Sequence, residues 1–453
     1  MADAEDPKNK PPRIRGRGAA KLAPPTARAS GTVRASNEEL EVLNEALRDA
    51  GIPVTLAAAE VRVPDPPETA ETHDGCLPKI PSIYRDGYAE IMARHPLQIL
   101  LEAIQDGGNR RGWSDNNGQT PPHYYARTQR GAGACIVSVQ PATGGFLTDD
   151  VLRNLWEKVQ ALDDLTSDVF LYCLARLTPN GMGLNPVAVT ADAILDARGV
   201  QPIRKRGEPA NWQHGHRSED RMLVGRALAQ LRDVWLELQN INPAPLAKGR
   251  VSPISVRSVA LVMTDIAERP GPDGQPIFLG AMVTAGSWAR AYSESGLPYQ
   301  TTLLAQKALA YHPNKEQVEK RLTKYLPFQF RFNAKHETPS LRRSVRELLD
   351  SAGVRPNELN PERTRKRLEE GLDRLKCDGV IADWHYAEDN TSLPARGWVP
   401  RWLEWRIVLT PSLEVEAFHE TRRQEAKRYR ELAATKANGM AHAAGAKQPR
   451  LLR

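Results

Sequence analysis

The sequence predicts an α+β chain, mainly helical, that builds one helix–turn–helix–strand–strand unit twice. A small α+β N-terminal region precedes the two units, and disordered basic tails flank the whole. Three observations predict this. The nonapeptide Ile194 to Pro202, ILDARGVQP, returns as Leu348 to Pro356, LLDSAGVRP. Each copy is followed by an amphipathic helix rich in arginine, and each of those helices runs into a strand bearing a tryptophan, VWLEL and GVIADWHY. Internal repetition constrains a fold more than any single motif, because one unit must satisfy the same packing rules twice.

The repeated motif reads [Ile/Leu]-Leu-Asp-x-x-Gly-Val-x-Pro. It describes the end of a helix, a glycine just beyond it where left-handed backbone is needed, and a proline that blocks continuation. Downstream of the first copy, Ser218 is the expected N-cap, with Glu219 and Asp220 at the positive end of the helix dipole. At the α-helical period Leu223, Val224, Ala227, Leu228, Leu231, Val234 and Trp235 share an arc of about 140°, the expected core stripe. The opposite face carries Arg221, Gly225, Arg226, Ala229, Gln230 and Arg232. Small residues among cations suit a helix that approaches a polyanion closely. Downstream of the second copy, Asn360 is the expected N-cap and Pro361 the first helical residue. Leu368, Leu372 and Leu375 face inward; Arg363, Arg367, Glu370 and Arg374 form an outward ridge with Lys366 beside it. The plain alternative for both helices is a solvated charged face.

Helix, turn, basic helix, strand, loop, strand is the order of a winged helix-turn-helix module, whose second helix enters the major groove of double-stranded DNA. The copies differ in one respect. Leu228 follows Pro202 by 26 positions, whereas Leu372 follows Pro356 by 16. The extra loop, IRKRGEPANWQHGHR, carries Arg204, Lys205, Arg206 and Arg217, which are expected to lie along a DNA backbone; a surface loop pinned by Trp212 is the alternative. Arg396, at the tip of the second wing, is placed to reach a minor groove or simply solvent.

The 453 residues carry a formal net charge of +7 and 40% apolar residues, enough for several packed domains. Residues 1–35 hold eight Lys or Arg against three acidic residues, and residues 421–453 hold nine against two. The middle is therefore slightly acidic, and the recognition argument rests on where arginines sit, not on bulk charge. No apolar run approaches the roughly twenty residues of a membrane span. The N-terminus lacks the apolar core of a secretory signal. Cys76, Cys135, Cys173 and Cys377 have no paired spacing, which points away from zinc and disulfides and toward a reducing cytoplasm.

Residues 1–35 are expected to be a disordered basic tail, residues 36–147 an α+β region, residues 148–297 the first module, residues 298–418 the second, and residues 419–453 a second basic tail. Within the α+β region Ser36 opens a capped helix, IPVTLAAAEVRV reads as strand, residues 64–80 as a Pro-rich linker, Tyr84 to Ile104 as a helix broken by Pro96, and ACIVSVQ as a buried strand. In the first module SDVFLYCLARLT is the first helix and Thr190 caps the next. VWLELQNI and ISVRSVALVMTDI form the wing, with IFLGAMVTAG completing the sheet. The second module begins near Thr301 with mostly helical sequence. Its Phe328, Phe330 and Phe332 read as core in preference to a base-stacking platform. A helix SLRRSVRELLDSAG follows Pro339.

No P-loop and no dinucleotide-binding glycine fingerprint is present. His214-Gly-His216 lies beside a helix cap in a polar loop, not on a strand beside a carboxylate and a tyrosine, so metal-dependent strand cleavage is set aside. No catalytic residue, metal ligand or cofactor is assigned, and no enzyme activity is expected.

The duplicated motif and the two basic helices, over residues 148–418, resemble the iteron-binding plasmid replication initiators, which contain two winged-helix modules. The resemblance implies replication initiation by recognition of origin repeats. It also implies self-association through the first module, recruitment of host replication proteins, no membrane partner, and a cytoplasmic location with plasmid or nucleoid DNA. A winged-helix transcription regulator and a protein-interaction scaffold stay open beside it.

Overall fold

The computed structural model describes residues 82–445 apart from 128–132, 141–146, 180–183, 204–214, 242–253, 272–273, 294–300, 335–338, 358 and 388–396. The expectations for residues 1–81, both the basic tail and the capped helix at Ser36, lie outside the described residues.

The chain opens with strand β1 (Tyr88–Met92) and helix α1 (His95–Gly107). The helix expected across Tyr84 to Ile104 is thus a strand followed by a helix. Pro96 does not break the helix; it sits in the first turn, where its missing N–H and fixed φ cost nothing. Strands β2 (Trp113–Ser114), β3 (His123–Arg127) and β4 (Ala134–Val139) follow, then helices α2 (Asp149–Gln160) and α3 (Asp164–Leu177).

Next come strand β5 (Val187–Thr190), helix α4 (Ala191–Ala197), helix α5 (Ser218–Asp233), and strands β6 (Val234–Ile241), β7 (Ile254–Val259), β8 (Leu261–Pro270) and β9 (Pro276–Ala285). Helix α6 (Trp288–Ser293), strand β10 (Thr301–Ala305) and helix α7 (Lys307–Ala310) lead to helix α8 (Gln317–Asn333). The C-terminal part runs through strand β11 (Leu341–Ser344), α9 (Val345–Ser351), α10 (Pro361–Cys377), β12 (Ile381–Tyr386), α11 (Val399–Glu404), β13 (Arg406–Pro411) and α12 (Leu413–Gly445).

The two repeat copies adopt the same structure down to individual hydrogen bonds. In the first, Arg198 N donates to Ile194 O (3.0 Å), Gly199 N to Asp196 O (2.9 Å) and Val200 N to Leu195 O (3.0 Å). In the second, Ala352 N donates to Leu348 O (2.9 Å), Gly353 N to Asp350 O (3.0 Å) and Val354 N to Leu349 O (2.9 Å). Gly199 and Gly353 both take positive φ, +72° and +67°, as the helix-ending bonds require. Each motif helix is capped by a hydroxyl at the end of a short strand. Thr190 Oγ1 accepts from Ala193 N at 3.2 Å, and Ser344 forms a full capping box with Glu347.

The sheets match as well. Strands β5, β9 and β8 form an antiparallel sheet in the order β5-β9-β8, and β11, β13 and β12 form one in the order β11-β13-β12. The two units share the order helix, strand, helix, helix, strand, strand, with the last strand central; β6 and β7 intervene before the final pair in the first unit, and α11 lies between the final two strands of the second. The helix expected to start at Pro339 begins instead at Val345, because Leu341 to Ser344 pair with β13, in register Leu341↔Leu409 to Ser344↔Arg406.

The first unit departs from expectation in its strands. Val234–Ile241 and Ile254–Val259 do not form its terminal hairpin. They join a five-stranded sheet, order β2-β3-β4-β6-β7, and so extend the N-terminal α+β region. The cause is apolar continuity: Leu236 pairs with Val137 and Leu238 with Cys135, and all four are buried. The chain then turns at Ala260, and β8 and β9 make the hairpin.

Among the described residues two apolar clusters result. One runs from Ala89 to Ala289 with additions near Leu304, Leu309 and Phe328; the other spans Ala305 to Val415. Phe328 and Phe330 are buried and Phe332 packs at the margin, against His95 at 5.8 Å between ring centroids, so the aromatic run is core. Residues 419–445 of the expected disordered tail belong to helix α12. Among the described residues no helix is long and apolar enough to cross a membrane.

Candidate nucleic-acid interface

The candidate surface is built by helix α10 and the turn before it. Asn360 caps the helix as expected, its Oδ1 accepting from Arg363 N at 3.2 Å, and Pro361 opens it. Thr364, Leu368, Gly371, Leu372 and Leu375 are buried. Gly371 is needed there: a Cβ would lie 2.7 Å from Val318 Cγ1 on α8, inside any tolerable contact. That packing turns Arg363, Lys366, Glu370 and Arg374 to solvent.

The outward cations are not equivalent. Arg363 has no ion-pair partner among the described residues, and Lys366 is 73% exposed with Glu370 only at 3.8 Å. Arg374 bonds Asp378 at 2.8 Å and Lys376 bonds Asp383 at 2.7 Å. Arg367, expected on the ridge, is half-buried and turned back onto α8, where its Nη1 donates to Glu319 Oε1 at 2.8 Å. Glu319 is itself buried. Arg367 is thus a strut between helices. The free positive charge lies on the N-terminal half of α10, the half that meets base edges when such a helix enters a groove.

Two residues beside it carried no sequence signal of their own. Arg355, inside the second repeat copy, is exposed where the first copy has Gln201. Leu359 is 98% exposed, while Leu359 N and Asn360 N both donate to Asn357 Oδ1 at 2.9 Å. An exposed leucine beside a basic helix offers an apolar contact, the kind that a thymine methyl group accepts in a major groove.

The first unit offers less. Val224, Ala227, Leu228 and Leu231 are buried as expected, but the helix is rotated from its expected seat. Leu223 is 44% exposed and Arg221 is buried. Arg221 is withdrawn because Asp192 on α4 grips it, Nε to Oδ1 at 2.7 Å and Nη2 to Oδ2 at 2.6 Å. Gly225 also faces inward, where a Cβ would come 2.6 Å from that of Phe278. The first helical residue is Ser218, with Arg217 at the cap position and no side-chain cap. The outward face keeps Glu219, Leu223, Arg226 and Arg232, the last with Asp233 at 3.6 Å, and Arg217 is exposed just before it. Helix α5 carries three basic and three acidic residues, whereas α10 carries six and four.

Arg204, Lys205, Arg206 and Arg396 lie outside the described residues. The insert that bears the first three leaves and returns at one point, since Ile203 N donates to Gly215 O at 2.9 Å. His216 at its base is buried, with Nε2 2.9 Å from Asp196 Oδ1, and joins α4 to the start of α5. His214 is outside the described residues.

No protein-family model matches the chain, and no curated protein matches it. Among solved structures it is similar to a crystal structure of RctB domains 2-3, with 11% identity over 72% of this chain and 99% of that one and a TM-score of 0.37. A selenomethionine derivative of domain 2 and domain 3 of RctB gives 12% identity, 67% and 98% coverage, and a TM-score of 0.33.

Proposed function

We propose that the chain binds double-stranded DNA in a sequence-specific way through two winged-helix units, with α10 as the main recognition helix, and that it serves replication initiation by reading repeated sites at an origin. The observation that carries this reading is the exposure of Arg355 and Leu359 just before α10 and of Arg363 and Lys366 in its first half, in a unit whose strand order and helix-ending bonds occur twice. Repetition of the unit in one chain suits tandem direct repeats. The reading involves no catalysis, cofactor or metal: the work is done by binding energy.

Helix α5, charge-balanced and exposing Leu223, favours a protein contact as the first unit's additional role, with a second copy of the chain or a replication protein as partner.

Fluorescence anisotropy with the full chain tests the reading. DNA carrying short direct repeats from beside its own gene is expected to bind far more tightly than shuffled sequence, and affinity should fall by orders of magnitude between about 50 and 200 mM salt. A preference for a single palindrome would replace the initiator role with a regulator's. Affinity that is absent, or indifferent to salt, would leave the scaffold reading.

A further inference from the structure

The two units meet at a cluster of fully buried charges. Asp168, in the middle of α3, has no solvent exposure, and neither do the side chains of Lys320 and Lys324 on α8. Lys324 Nζ lies 2.6 Å from Asp168 Oδ1, and Lys320 Nζ donates to Oδ2 at 2.9 Å. Arg198 Nε, from the first repeat copy, donates to the same Oδ2 at 2.9 Å. Lys320 spends its remaining protons on the carbonyls of Leu309 and Tyr311, at 3.1 and 3.0 Å. Burial alone would raise the Asp168 carboxyl, but the Lys324 and Lys320 ammonium groups and the Arg198 guanidinium outweigh it and hold it below the usual carboxylate range.

The cluster lies between two further polar contacts carried by the same two helices. On one side, Thr166 on α3 donates to Gln230 on α5 at 2.8 Å. On the other, Glu319, the neighbour of Lys320, holds Arg367 of α10. Separate polar contacts therefore join α5 to α3, α3 to α8 and α8 to α10, in series from one candidate recognition helix to the other.

Such a cluster is a poor source of stability, because desolvating the ions offsets most of their attraction and apolar residues of equal volume do as well or better. Its distinctive property is directional. Leucine-like contacts between helices tolerate a slide, whereas a slide here strands a buried charge without its partner, which is strongly unfavourable. We propose that the Asp168 cluster is a positioning device that fixes the separation and phase of α5 and α10, so that the chain accepts one spacing between the two DNA segments it meets. The spacing clause rests on the DNA reading above; the mechanical clause does not.

The experiment keeps them apart. In the full chain carrying Cys76→Ser, nitroxides are placed on Cys377, exposed at the end of α10, and on Ala188→Cys, exposed on β5; Cys135 and Cys173 are buried. Electron–electron distance measurement should give one narrow distribution. Asp168→Asn, which keeps shape and removes charge, should broaden or split it, and Lys324→Met should do so more weakly. In parallel, DNA with two target segments separated by graded spacers should show a preference of about tenfold or more for one spacing, falling to about threefold or less in Asp168→Asn.

Narrow distributions in both variants would overturn the device. So would a spacing preference that survives Asp168→Asn, or failure of both variants to fold, which would make the cluster a stability element. Broadening in a chain with no DNA affinity would uphold the device and reject the DNA reading.

Discussion

Arg363 and Arg367 lie one helical turn apart and do different work. Arg363 and Lys366 are exposed, so Arg363→Ala with Lys366→Ala should leave the melting temperature within about a degree while costing about 1–3 kcal/mol of specific DNA affinity for each base edge that is no longer reached. Arg367→Ala should do the reverse: it strands buried Glu319, lowering stability by about 1–3 kcal/mol with a smaller direct effect on DNA. Thermal melts and anisotropy on the same samples separate the two; equal behaviour would show that the strut and the reader are not distinct. Leu359 permits a test on the DNA side. Under the proposed reading, replacing each thymine of the site in turn by deoxyuridine removes one methyl group and should weaken wild-type binding about fourfold at one position, at about 0.8 kcal/mol per buried carbon. Leu359→Ala should be blind to that exchange.

Among the elements, the duplicated helix ending gives a matched pair of substitutions. Both Gly199→Ala and Gly353→Ala force a side chain into positive φ, at a cost of about 1 kcal/mol. At Gly199 the new Cβ finds its nearest neighbour 3.8 Å away, but at Gly353 it meets the Arg321 guanidinium, which donates to Gln105 O at 2.8 Å. Gly353→Ala should therefore lower the urea midpoint distinctly more than Gly199→Ala; equal losses would mean Arg321 moves aside freely. These elements were legible in the sequence because helix endings, caps and proline positions are local chemistry, and the repeat declared them twice. The strands were less so. VWLELQNI satisfies the pattern of either sheet, and its membership is decided by the apolar face of β4, almost a hundred residues earlier. Site residues divide in the same way. Arg363 and Lys366 follow from helical period alone, while the withdrawal of Arg221 depends on Asp192 and on the rotation of α5 over Phe278, which no period encodes.

At the scale of the molecule, the C-terminal helix packs against β10 and pairs with Glu90 of β1, and it adds a sensitivity to acid. His419 on α12 is buried, 3.4 Å from Thr302 Oγ1 on β10. Burial, with the Arg331 and Arg423 charges, pulls its pKa down to about 4. A histidine depressed in the folded state destabilises the fold as the unfolded chain takes up protons that the folded one refuses. Its share of stability is intact above pH 6.5 and is lost between 6.5 and 4, with about 2 kcal/mol gone at pH 5. Urea unfolding at pH 7 and pH 5 should show this loss, and His419→Gln should flatten it; an unchanged slope would place the acid sensitivity elsewhere.

The antiparallel pairing of β1 with β10, from Tyr88↔Ala305 to Met92↔Thr301, joins strands from opposite sides of the whole first unit. A ladder closed over so long a loop forms late in folding and raises the contact order of everything it encloses. It also means that the C-terminal half has no finished boundary of its own. A fragment cut at residues 298–418 keeps β10 but loses its neighbour, presenting bare N–H and C=O groups to other molecules. Such a fragment should self-associate in light scattering, and adding a peptide of residues 82–93 should restore a monomer.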